Sequence, residues 1–257
     1  MRRLSKFFVA AFALQMTLAA SAFASEEIGK AVSITVSVTG DNGPLSVSSP
    51  IHRDERIQTS TSGTGQFEFR DGTKLAIGPN STLVIDRSVF VGSSSFKNLS
   101  LKATRGAFRW ISGTSKSSAY QINTRLGTLG IRGTAVDFYV GSSAVAVVLL
   151  RGKATFCGLN GICKRLEHRC DIVVADRNGV KEAGKQRSKI VVNGVKNEET
   201  FPFLTGTRKL SQPFRVGGGS CGLSKIQIRR VNEDGSEEGT KAGGSGRGGG
   251  GNPNGPS

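Results

Sequence analysis

The chain has 257 residues and carries 35 lysines and arginines against 19 aspartates and glutamates, a formal net charge of +16. That length suits one domain with extensions, and the charge favours contact with anionic polymers or surfaces without specifying one. Beyond the first 24 residues no stretch approaches the roughly 20 apolar residues needed to span a bilayer, so no membrane-spanning segment is expected there.

Residues 1–24 read as a targeting segment. Arg2, Arg3 and Lys6 form a positive start, the apolar run FFVAAFALQMTLAA follows, and Ala22-Phe23-Ala24 places small residues where a signal peptidase reads them. Cleavage is expected between Ala24 and Ser25. It would leave 233 residues, and with three of the 35 basic residues gone the charge falls from +16 to +13. The expected location is the periplasm. A chain exported there does not meet chromosomal DNA, so nucleic acid is not an expected partner.

Strands then dominate, and residues 25–170 are expected to form one β domain. AVSITVSVTG (31–40) alternates Val32, Ile34, Val36 and Val38 with polar residues, which predicts a strand with one buried face. In GQFEFRDGTKLAIGPNSTLVID (65–86), Phe67 and Phe69 alternate, Asp71-Gly72 offers a positive-φ pair for a tight turn, and Leu75 and Ile77 resume the alternation. Pro79-Asn80 turns the chain again before Leu83 and Ile85. NLSLKA, GAFRWI, YQINT, AVDFYV and AVAVVLLRG continue the pattern, and no segment offers a sustained helical stripe.

Three Arg-Gly pairs punctuate these strands: Arg105-Gly106, Arg132-Gly133 and Arg151-Gly152. The spacing is too irregular for a solenoid repeat. It suits an all-β fold of short strands, a β-roll or a two-layer β-sandwich of stacked hairpins, with glycines at corners. In NTRLGTLGIRGTAVDFYV (123–140), Gly127, Gly130 and Gly133 look at first like a phosphate cradle. Such a cradle leads into a helix whose free N–H groups hold the anion. Here TAVDFYV alternates as a strand, with Val136, Phe138 and Val140 on one side and Asp137 and Tyr139 on the other, and a P-loop's Lys-Ser/Thr is missing. These glycines are expected as corners between short strands.

Cys157, Cys163, Cys170 and Cys221 are the four cysteines. In an oxidising compartment an even count reads as two disulfides, and the spacing lacks the paired knuckles of a structural zinc site. Of the three possible pairings, Cys157–Cys163 is favoured because CGLNGIC would close a hairpin with the two thiols opposed, leaving Cys170 for Cys221. Residues 171–230 are expected as a cysteine-stapled extension. In it DIVVAD and SKIVVNG read as edge strands, and FPFLTG carries aromatics that dock on the domain. Residues 231–257, rich in glycine and almost without apolar side chains, read as a disordered tail.

Catalytic signals are sparse. His52 sits in the charged run HRDER, and His168 lies beside Cys170, whose sulfur would be no hydrolytic nucleophile once oxidised. No Gly-x-Ser-x-Gly elbow occurs, and Asp71 lacks the further oxygen ligands of a calcium loop. No enzyme activity, metal or cofactor is expected. Trp110 and Phe108 share a strand face and read as core, with a sugar-stacking platform as the alternative. Arg105, Arg109, Arg125, Arg132, Arg151 and Lys153 would form an anion-attracting interaction surface if they shared one face, and a solvated surface otherwise.

Two blocks carry a resemblance. SSPIHRDERIQTSTSGTGQFEFRDGTKLAIGPNSTLVID, and TRLGTLGIRGTAVDFYV followed by VAVVLLRGKATF, resemble in order the periplasmic domain named after FecR, the iron-citrate sensor-regulator, over about Val47 to Phe156. The resemblance implies a non-catalytic extracytoplasmic module that contacts another envelope protein, such as the periplasmic part of a membrane sensor or transporter. Regulators of that family also carry a cytoplasmic sigma-factor-binding domain and a transmembrane helix. Here the leader runs straight into the β domain, so neither is expected. The charge alone suggests a second partner class, an anionic envelope polymer such as peptidoglycan or an acidic polysaccharide.

Overall fold

The computed structural model describes residues 26–182, 197–206, 209–217, 219 and 221–223. The expected leader with its Ala24–Ser25 junction, the expected edge strand SKIVVNG and the expected tail at 231–257 lie outside the described residues. The fold is all-β. Fifteen strands form one hydrogen-bonded sheet: β1 (Glu27–Thr35), β2 (Val38–Gly40), β3 (Gly43–Pro44), β4 (Pro50–His52), β5 (Arg56–Thr59), β6 (Thr64–Phe69), β7 (Lys74–Ile77), β8 (Thr82–Val91), β9 (Ser95–Ile111), β10 (Tyr120–Thr124), β11 (Gly127–Val140), β12 (Val145–Gly158), β13 (Cys163–Leu166), β14 (Ile172–Asp176) and β15 (Gly179–Glu182).

Three long strands fold this sheet into two layers. The first layer runs β3-β2-β5-β8-β9-β10-β11-β12-β13, and the second runs β4-β1-β6-β7-β9-β11-β12-β14-β15. β9, β11 and β12 belong to both. In β9 the layer changes at Gly106, after Thr82↔Arg105 and before Val140↔Gly106. In β11 and β12 it changes where Arg132 pairs with Lys153 and Ala135 with Arg151, across a bulge. The Arg-Gly pairs are therefore bends inside continuous strands.

The bends require glycine. Gly106, Gly133 and Gly152 all take positive φ, at 106°, 59° and 82°. A Cβ on Gly152 would lie 2.3 Å from the Gly133 carbonyl oxygen, so the two strands turn the corner with backbones in contact. This corrects the expected corners between short strands. Gly127 closes the β10–β11 turn, Gly130 is mid-strand and only Gly133 bends.

The layers meet through alternating apolar side chains. Phe96, Leu99, Leu101, Ile122, Leu129 and Phe156 come from the first layer and Phe67, Phe69, Phe108, Trp110, Phe138 and Val147 from the second, in one buried cluster. Phe69 meets Phe96 edge-on at 6.4 Å and Trp110 meets Tyr120 at 5.4 Å across the interface. Such pairs add about 0.5–1.5 kcal/mol beyond their buried area.

The first expected strand departs from its simple alternation. β1 carries a register shift between Ala31 and Ser33 and ends at Thr35. The shift turns Val32 away from the interlayer core, and the chain breaks at Val36, which sits at φ 62° and is 71% exposed. Asp71-Gly72 also differs from expectation, because only Gly72 takes positive φ. Asp71 instead accepts the Thr73 N–H at 2.9 Å within a β-turn.

Past Cys170 the chain keeps building the second layer. DIVVAD forms β14, an inner strand between β12 and β15 and not an edge. FPFLTG then docks on the outer side of this layer. Short helices α1 (Asn197–Thr200) and α2 (Pro202–Thr205) bring Phe201 and Leu204 against Ile111, Ala135, Ala146, Val148 and Leu150. Phe203, Leu210 and Phe214 cover Ala76 and Val32.

Candidate functional site

The two layers have different outer faces. On the second, the arm of residues 197–223 buries one charged pair. Arg109 and Asp137 are register partners on β9 and β11, and both are fully buried. Arg109 donates from Nε and Nη2 to the two Asp137 carboxylate oxygens at 2.6 and 2.7 Å, and from Nη1 to the Phe214 carbonyl oxygen at 3.3 Å. Its guanidinium also lies 5.9 Å from the Phe203 ring centre. Burial pushes the Asp137 carboxyl up from its ordinary range, and the adjacent guanidinium pulls it back down.

The first layer's outer face carries no such cover among the described residues. Cross-strand register assembles polar rows on it: Lys102, Asn123, Thr128 and Cys157 in one, Ser100, Gln121, Gly130, Thr155 and Arg165 in the next, Arg132 and Lys153 in a third. Side chains tie the rows together. Gln121 Nε2 donates to Asn123 Oδ1 at 2.8 Å, and Asn123 Nδ2 donates to Ser100 Oγ at 3.0 Å.

Within this face lies a trough of about 830 Å³, lined by Ser117, Ser118, Gly130, Arg132, Lys153, Thr155, Arg165 and Glu167 among others. Gly130 gives it depth. A Cβ there would meet nothing closer than the Thr155 carbonyl oxygen at 3.7 Å, so any larger side chain would stand in the trough. Three cations face one carboxylate. Lys153 Nζ is 3.6 Å from Glu167 Oε1, whereas Arg132 and Arg165 have no acidic partner among the described residues. A smaller hollow of about 280 Å³, with Asp86, Arg87, Asn98, Ser100 and Gln121, adjoins it at Ser118. Cations, hydroxyls and amides in this arrangement can hold a polar, partly anionic surface.

The six basic residues read from the sequence do not form one patch. Arg109 is internal: the second-layer part of β9 is covered on both faces, and its guanidinium is paired with Asp137. Arg105 and Arg125 lie at the Gly106 end, where Arg125 donates to the carbonyl oxygens of Thr104 at 2.8 Å and Ser142 at 3.1 Å. Arg132, Arg151 and Lys153 gather at the opposite, Gly133–Gly152 corner. Trp110 is fully buried, with Nε1 donating to Ser112 Oγ at 3.2 Å, so it offers no stacking platform.

The cysteines pair as Cys157–Cys163 and Cys170–Cys221, the pairing expected from the hairpin, and none is free. His168 is exposed, 3.6 Å from Asp171, beside a cysteine held in a disulfide. Among the described residues no group of three or more His, Cys, Asp or Glu side chains is placed to hold a metal, and no helix is long and apolar enough to cross a membrane.

Sequence reasoning missed the Asp71 network. Asp71 Oδ2 accepts from Tyr120 Oη at 2.5 Å and Ser115 Oγ at 2.7 Å, while Thr73 Oγ1 accepts the Gly113 N–H at 2.9 Å. Burial first, and Asp71 second, raise the Tyr120 phenol above its usual value. This buried knot closes the far end of the interlayer core. It is structural, and its partners lie too far apart in sequence to be read together.

Residues 55–155 match the family model described as FecR protein. No curated protein matches the chain. Two crystal structures of proteins provisionally assigned as anti-sigma factors, both from Parabacteroides distasonis ATCC 8503, resemble it distantly. One has 12% identity and a TM-score of 0.43 over 57% of this chain and 74% of that one. The other has 14% identity and a TM-score of 0.40 over 52% and 61%. Neither likeness is close enough to bear on what this chain does.

Proposed function

Because residues 55–155 match the family model described as FecR protein, we propose that the chain is a non-catalytic, exported interaction module. It takes another envelope protein on the open face of its first layer, in extracytoplasmic sensing or assembly. One observation carries this reading. The second layer's outer face is closed by the chain's own arm, whereas the first presents a polar ladder and a trough with two arginines that lack an acidic partner among the described residues. Two disulfides favour an oxidising compartment such as the periplasm.

The test is in-cell photocrosslinking from Thr155 and Gln121, followed by mass spectrometry after a high-salt wash. One specific membrane protein's periplasmic part is expected, and Arg132→Glu/Lys153→Glu should reduce its recovery at least tenfold. Recovery of no protein from either position would sink the reading.

The trough's cations and hydroxyls favour one second reading, a binder of carboxylated or phosphorylated envelope polymer. Trp110 is buried and offers no ring to stack on a sugar, so such binding would be mainly ionic and would collapse with modest salt. Cell-wall fragments without a protein partner, released by that same wash, would favour it.

A further inference from the structure

The hairpin between β12 and β13 ends in CGLNGIC (157–163), a stretch without a charge. Its base is closed by the Cys157–Cys163 disulfide. Its turn is internally bonded: the Gly158 N–H donates to the Ile162 carbonyl oxygen at 2.9 Å, the Gly161 N–H to the Gly158 carbonyl oxygen at 3.1 Å, and the Ile162 N–H to Asn160 Oδ1 at 3.1 Å. This frame holds Leu159 and Ile162 outward, 75% and 53% exposed, and Leu159 is the most exposed large apolar side chain among the described residues. With both ends of the turn tied down, the two side chains cannot fold back onto the domain.

The same end of the layer gathers cations. Gly158 pairs with Gly127, so the β10–β11 turn with Arg125 lies beside the tip. Arg125 reaches Thr104, next to Arg105 at the Gly106 bend. The β14–β15 turn approaches from the other side, close enough that a Cβ on Gly179 would lie 3.2 Å from Asn160 Nδ2, and it carries Arg177. Arg105, Arg125 and Arg177 are all exposed. The neighbouring Asp176 is engaged by the Asn178 N–H at 2.7 Å.

We propose that this end of the domain docks on an anionic lipid surface. Leu159 and Ile162 enter the boundary between headgroups and acyl chains, and Arg105, Arg125 and Arg177 meet lipid phosphates. A convex tip of two aliphatic side chains falls far short of the roughly 800 Å² per partner of a stable protein interface. A fluid bilayer boundary needs no matching pocket, and it rewards small apolar insertions combined with cations. The docking surface lies toward the opposite end of the first-layer strands from Arg132 and Lys153, so it neither uses nor depends on the trough.

The experiment is cosedimentation of the exported, purified chain with vesicles of phosphatidylethanolamine and phosphatidylglycerol, and with neutral phosphatidylcholine vesicles. Retention on the anionic vesicles is expected to exceed that on the neutral ones. It should fall at least tenfold in Leu159→Ser/Ile162→Ser and severalfold in Arg125→Gln/Arg177→Gln. The compared chains share the same N-terminus, so their difference reads the tip alone. Unchanged thermal unfolding of the serine variant confirms its fold. In Leu159→Trp, added anionic vesicles should bring blue-shifted emission over the constant signal of buried Trp110. The proposal is overturned if the serine variant binds as the native chain does, which would make adhesion a matter of charge. It is equally overturned if the native chain ignores anionic vesicles while the tip variant loses a protein crosslink in cells, which would place the tip in a partner's pocket.

Discussion

The outer faces of the two layers are built from the same three strands and end in opposite states. On the second, β9, β11 and β12 present Arg109, Asp137, Ala146 and Val148 under the arm of residues 197–223. On the first, the same strands present Lys102, Thr128, Lys153 and Thr155 to solvent. A buried face is fixed by packing, and its charges must be paired. An open face is free to vary and to bind. Substitutions should therefore separate cleanly: stability lost on the covered face, binding lost on the open one.

The largest expected effect tests the covered side. Arg109→Ala or Asp137→Ala strands a charge in the interior and should lower unfolding free energy by about 3–5 kcal/mol in urea titration. Arg109→Met/Asp137→Leu removes both charges and should recover most of that loss. If the single variants unfold like the native chain, the arm does not seal this face.

Opening the arm's staple comes next. The Cys170–Cys221 bond spans 51 residues, against 6 for Cys157–Cys163. Chain-entropy reasoning gives about 4 kcal/mol for the long loop and about 2 for the short one. Cys170→Ser/Cys221→Ser should thus lower the unfolding temperature more than Cys157→Ser/Cys163→Ser. The reverse order would mean that the arm adheres without its staple.

A smaller effect probes the knot between the layers. Tyr120→Phe removes the hydrogen bond to Asp71 and should cost about 1–2 kcal/mol at neutral pH. The Tyr120 phenol is raised in the folded protein, so its contribution is complete below the ordinary tyrosine value of about 10 and is lost as pH rises through the folded value. The stability gap between native and Tyr120→Phe chains should therefore narrow in alkali. Tyr139, the other tyrosine, is also raised, chiefly by burial, so native stability falls there for two reasons.

The smallest stability effect belongs to the open face. Arg132→Glu/Lys153→Glu should change unfolding free energy by less than about 0.5 kcal/mol, as surface substitutions do, while partner recovery falls tenfold. Loss of both together would show that the trough is part of the frame.

Much of the strand pattern was legible because alternation is local. Phe108 and Trp110 on one side of β9, and Val136, Phe138 and Val140 on one side of β11, occupy the core as their spacing predicts. Val36 was misread because a bulge upstream and a positive-φ break shift the phase of the strand, and neither leaves a mark in composition. Arg109 was misread as surface, although a signal existed. It and Asp137 each stand alone inside apolar runs, GAFRWI and AVDFYV, as opposite charges do when a strand is covered on both faces. The trough left no such trace, since its residues lie on and just before β10, on β11 and β12, and on and just after β13, and meet only when the strands pair.

By itself the sequence determined the all-β character, the glycine corners at Arg-Gly and the FecR resemblance, because each rests on neighbours or on short-range geometry. Only the tertiary structure decided that the bends carry continuous strands between two layers, and that, among the described residues, one outer face is roofed and the other is not. Nor could the sequence separate the six basic residues into one buried, two at one end and three at the other. Those outcomes depend on which segments cross over which, and period-two patterns say how a strand faces without saying what it faces.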